Sequence, residues 1–157
     1  MTPTPPDHLD AGTHRRLAVD LFNHVWTLLE TESRTAEQDD EMVHAAHTSR
    51  WHWAQTGVDD LPQRLAVGEW QCSRVYAVLD RGEPALHHAR RCLALVEAGG
   101  LEPWVSASAY EGLARASRAA GDGAAFEAWR ARARAATAEI ADDEDREVIE
   151  RDLATLE

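Results

Sequence analysis

Apolar residues recur along this chain at spacings of three and four, and no stretch alternates with period two, so helices are predicted throughout and strands nowhere. Start and stop signals divide the pattern into seven helices. The first is predicted over Thr13 to Glu32. Thr35 with Gln38 opens the second in a capping-box pattern, and it runs to about Gly57. Asp60 with Gln63 repeats that pattern for the third, which ends near Arg81-Gly82. Pro84 suits the first turn of the fourth, which stops at Gly99-Gly100, and Pro103 that of the fifth, which stops at Gly121. Asp122 caps a sixth through about Thr137, and Asp142 or Asp143 a last helix whose apolar positions are Val148, Ile149, Leu153 and Leu156. Short connections make neighbours antiparallel, so the expected fold is all-α, a set of stacked antiparallel helical hairpins. Residues 1–12 read as a flexible lead and 13–157 as a single helical domain.

Two segments repeat. SRVYAVLDRGEPALHHARRCLAL from Ser73 and GLARASRAAGDGAAFEAWRARAR from Gly112 each carry a small residue, then a Gly-containing turn, then alanine (Ala85, Ala124). Smaller residues follow at Ala89 and Ala128, and at Cys92 and Ala131. This pattern resembles the tetratricopeptide repeat, whose small residues mark where paired helices touch and whose aromatic three positions on packs between them. Tyr76 matches that aromatic and Arg115 does not. The offset from Ser73 to Gly112 is 39 positions, longer than the usual ~34. The resemblance covers about residues 60 to 137 and implies Ser73 against Ala85 and Gly112 against Ala124. It implies no particular activity, because such repeats scaffold unrelated functions. The chain is also similar to a group of uncharacterised bacterial proteins of this length through MVHAAHTSRWHW, GEWQCSRVYAVLDRGEPALHHARRCL and AYEGLARA, a likeness that carries no mechanism.

The formal net charge is -12. Nucleic acid and anionic membrane surfaces both want a basic face, so neither is an expected partner. No apolar run is long enough to span a bilayer and no signal-peptide core precedes the helices, so a cytoplasmic protein is expected. Cys72 and Cys92 lie in apolar helical patterns without metal-ligand spacing and read as buried thiols.

The candidate chemistry lies where polar residues interrupt apolar faces. On the third helix Leu61, Leu65, Cys72, Tyr76 and Leu79 fall within about 40° of one line, and Glu69 falls with them. An isolated carboxylate there would cost several kcal/mol, so Glu69 needs a partner. On the first helix His24 interrupts the strip Leu17, Leu21 and Leu28, and a second strip (Phe22, Val25, Leu29) suggests that helix and histidine are both well buried. On the second, Met42, Ala45, Ala46, Ser49 and Trp53 form a packing face, while Glu41, His44, His47, Trp51 and Gln55 form a polar-aromatic one.

Three readings stay open. A buried His-Glu network could set helix register. A pocket lined by His44, His47, Trp51, Glu69 and Tyr76, with Trp70 nearby, could hold a small molecule or a partner segment. His24, His44, His47 and Glu69 could hold a single transition metal for a metal-dependent enzyme, with Glu41-x-x-His44 as the spacing that suggests it. Binding is the expected function. A purely structural homo-oligomer joined through exposed Trp104 or Trp129 is the remaining class. His87 and His88 read as surface residues or as residues at the groove of the hairpin.

Overall fold

The computed structural model describes residues 9–157, which form seven helices and no strand. They are α1 (Ala11–Leu29), α2 (Ala36–Ala54), α3 (Leu61–Val78), α4 (Gly82–Glu97), α5 (Pro103–Ala119), α6 (Gly123–Ala138) and α7 (Asp143–Ala154). Most of the expected flexible lead, residues 1–8, lies outside the described residues. Its last part is ordered: Asp10 caps α1, its carboxylate accepting from Thr13 N at 2.7 Å, so α1 starts before Thr13.

The caps explain most of the other boundaries. Thr35 and Gln38 form the expected box, each side chain accepting from the other residue's backbone N–H. Asp122 accepts from Ala125 N and Asp142 from Asp145 N. The Asp60-Gln63 box does not form. Asp60 accepts from Arg64 Nε at 2.9 Å, and Gln63 Oε1 accepts from Glu102 N at 3.1 Å. Gln63 thereby ties the start of α3 to the start of α5.

Side-chain pairing records antiparallel packing. Along the α1–α2 interface His14 meets His52, Ser49 Oγ donates to Ala18 O, and His24 meets Glu41. One index rises as the other falls. Between α3 and α4, Ser73 Oγ donates to Ala85 O at 2.8 Å, and Glu69 meets His88. Each of the first six helices packs on its chain neighbour, α3 also touches α5, and α7 folds back on α5 and α6.

Of the two small-residue pairs expected from the repeat, one forms and one does not. Ser73 and Ala85 pair as expected and both are buried. Gly112 does not meet Ala124, which is exposed; a Cβ on Gly112 would lie 3.0 Å from Trp70 Cδ1. The two turns share their backbone features at an offset of 41 positions. Asp80 and Gly121 both take positive φ, and Arg81 N→Tyr76 O matches Asp122 N→Ser117 O, each 2.9 Å. Ser73 then corresponds to Ala114 and Cys92 to Ala133, all four buried.

The packing face of α2 is as expected: Met42, Ala45, Ala46, Ser49 and Trp53 are buried. Met42 and Ala46 join Val25, Leu28, Cys72 and Val75 in one core cluster. A second joins Ala107, Ala114, Ala133, Ile149, Leu153 and Leu156. Val148, expected among the core positions of α7, is 48% exposed instead. Trp104 and Trp129 are half-buried and packed against core clusters. No helix among the described residues is long and apolar enough to cross a membrane.

Candidate functional site

The middle of α3 lies between α2 and α4, and this places Glu69 among cations from both. Its side chain is almost wholly buried. Oε1 accepts from Arg50 Nε and Arg91 Nε, each at 3.0 Å, and Oε2 accepts from His88 Nδ1 at 2.7 Å. Burial pushes the carboxyl's pKa up; the hydrogen bonds from His88 and Arg91 and the charges of Arg91 and Arg50 outweigh it, leaving about 2. The partner that a buried carboxylate requires is therefore a set of three donors. Gly68 makes room for one of them: a Cβ there would sit 2.7 Å from Arg50 Cγ.

His47 lies beside this cluster. Its Nε2 shares a 2.9 Å hydrogen bond with Tyr76 OH, its Nδ1 is 3.9 Å from Cys72 Sγ, and its ring meets His88 edge-on at 5.0 Å. Tyr76 in turn stacks on His88, the ring planes 9° apart. Burial and the neighbouring His88 lower the pKa of His47, with Glu69 opposing. Burial raises Tyr76, and burial with Glu69 pushes the Cys72 thiol up to about 12. A thiol so placed stays protonated, so the Cys72–His47 contact is packing and not an activated nucleophile.

The other sequence candidates are placed elsewhere. His44 is exposed on α2. His24 bonds Glu41 at 3.2 Å with its side chain 42% exposed, so the expected burial of His24 does not hold. The rest of its strip does pack inward: Leu28 is buried and Leu21 lies against the same core cluster. Trp51, 42% exposed, borders the hollow over Glu69 and meets His14 and His52 edge-on. Of the pocket set, His47, Trp51 and Glu69 line one hollow, Tyr76 supports it from behind, and His44 is outside. The metal set His24, His44, His47 and Glu69 does not converge, and no group of three or more His, Cys, Asp or Glu among the described residues could hold a metal ion.

Sequence reasoning missed Arg50 and Arg91 and left His88 between the surface and the groove of the hairpin. A signal existed for His88. It lies three residues after buried Ala85 and four before buried Cys92, on the inward line of α4.

A larger concavity lies on the Trp70 side of α3. A cleft of about 580 Å³ is walled by Trp26, Trp53, Trp70 and Trp104, with Phe22, Val67 and Val105 between them. Trp26 and Trp70 lie 5.8 Å apart. Trp70 Nε1 donates to Glu111 Oε2 at 2.9 Å, and Arg115 Nε donates to Glu111 Oε1 at 2.8 Å. Arg74 lies over both Trp26 and Trp70 and reaches Asp152 at 3.3 Å, while Arg115 donates to Asp152 O. Burial raises the Asp152 pKa, as does Glu111, against the charges of Arg74 and Arg115. This ionic framework joins α3, α5 and α7 and fixes the orientation of the Trp70 indole. Val19 and Val148 line the same cleft and are 39% and 48% exposed.

Comparison with protein-family models, curated proteins and solved structures returns no match for this chain.

Proposed function

We propose that this protein is a binding protein on a tetratricopeptide-like scaffold, and that it holds a small, largely apolar molecule in the tryptophan-walled cleft. The convergence of four indoles on one cleft of about 580 Å³ carries this reading. Small-molecule sites run to roughly 300–1,000 Å³ and combine aromatic walls with a few polar groups. Gln63, Arg64, Ser108, Arg151 and Asp152 are the polar groups here. The scaffold reading rests on the repeated turn hydrogen bond and on the small residues at equivalent positions.

The site thus moves away from the His/Trp/Glu pocket expected on the first three helices. Both Glu69 oxygens already accept from arginine or histidine donors, which makes that carboxylate a poor anchor for an apolar ligand. The tryptophan cleft also draws on α5 and α7.

Tryptophan fluorescence titrated with 1-anilinonaphthalene should show saturable quenching with one site per chain. Ser108→Trp and Val67→Trp, which fill the cleft, should abolish it while circular dichroism stays unchanged. Equal quenching in the filled variants, or none in the native protein, would overturn the proposal.

A further inference from the structure

The hollow above Glu69 has chemistry of its own. It is lined by His47, Thr48, Arg50, Trp51, Glu69, His87, His88 and Arg91, and Glu69 is its only carboxylate. Two guanidinium charges face one carboxylate, so the hollow carries surplus positive charge on a protein of net charge -12. Both arginines reach Glu69 through Nε. Neither has another hydrogen bond among the described residues, so the terminal amino groups of both are unspent. Arg50 is held in place by its passage over Gly68 and is about three-quarters buried, which lowers the entropy its guanidinium would lose on binding. Thr48 is not a donor here, because its hydroxyl donates to His44 O.

We infer that this hollow is an oxyanion site that takes a phosphoryl group, gripped by the terminal amino groups of Arg50 and Arg91. Glu69 does not compete with the ligand. It orients both guanidinium groups through their Nε atoms, as a carboxylate behind a binding arginine does. Two forked donors suit a tetrahedral group with three free oxygens better than a carboxylate with two. Exposed His87 and Trp51 border the opening, where the organic part of a phosphate monoester would lie.

The test is calorimetric titration of the full chain with inorganic phosphate, phenyl phosphate and benzoate. Saturable binding of both phosphates at one site per chain is expected, with benzoate much weaker. Arg91→Gln, at a half-exposed position that tolerates change, should weaken phosphate by about tenfold or more, equivalent to ~1.4 kcal/mol. Gly68→Ala keeps both arginines but displaces Arg50, and should weaken it similarly. Arg90→Gln, exposed and outside the hollow, should leave affinity unchanged. Absence of saturable phosphate binding overturns the assignment. So does an Arg91→Gln variant that binds like the native protein, or an equal loss in Arg90→Gln, which would indicate diffuse charge. Benzoate binding as tightly as phenyl phosphate overturns the phosphoryl assignment. None of these outcomes depends on the tryptophan cleft being occupied.

Discussion

Gly112 lies against the edge of Trp70: a Cβ added to the glycine would stand 3.0 Å from Trp70 Cδ1, beside the indole N–H that donates to Glu111. The close approach of α3 and α5 at this point lets a tryptophan wall the cleft while its polar edge is satisfied within the protein.

Enlarging Gly112 should therefore expel the indole. Gly112→Leu is expected to destabilise the fold by about 2–3 kcal/mol, through overpacking and loss of a hydrogen bond to buried Glu111. Urea unfolding measures the loss, and the tryptophan emission should shift to the red. A variant with native stability and emission would refute the packing relationship.

Glu69 should be sensitive to removal and less so to neutralisation. Glu69→Ala leaves Arg50 without its counter-charge and His88 without its hydrogen-bond partner, and is expected to cost about 2–3 kcal/mol. That is below the ~3–5 typical of broken buried pairs, because Arg91 is half exposed and can return to water. Glu69→Gln retains an acceptor and should cost less. Denaturant midpoints of the two variants supply the comparison.

Acid should destabilise the protein in two separate windows. His47 and His52 have lowered pKa values, His47 through burial and His88, His52 through burial and His14. The folded state thus favours their neutral forms. Their contribution is complete above the ordinary histidine value of 6.5 and declines as pH falls below it. Glu69, held at about 2 against an ordinary 4.5, contributes fully above 4.5 and loses that contribution between those values. Melting temperature against pH should fall in two steps. His52→Asn should flatten the upper step and Glu69→Gln the lower one.

The thiols should be silent in the folded protein. Cys72 and Cys92 are both buried and free, and burial raises each to about 12. A disulfide reagent at neutral pH should titrate neither thiol in native buffer and both in denaturant. Rapid native reaction of Cys72 would contradict the packing role assigned to its contact with His47.

The seven helices were legible in the sequence because the signals that start and stop a helix are local. Thr35 finds Gln38 within one turn, Asp122 and Asp142 each find an N–H three residues on, and Pro103 begins α5. The packing face of α2 was legible too, since small residues at helical spacing have few other uses. Asp60-Gln63 looked the same locally, yet its partners came from Arg64 and from the start of α5. The choice between His44 and His47 was not legible. Both lie on one broad polar face, and only the position at which α3 lands decides that His47 meets Tyr76 while His44 meets water. Glu69 announced its need for a partner but not the partner's identity, because Arg50, His88 and Arg91 come from two other helices. The tryptophan cleft left the least trace. Trp26, Trp53, Trp70 and Trp104 stand on four different helices, and helical periodicity relates residues within one helix but carries no information on the distance between helices.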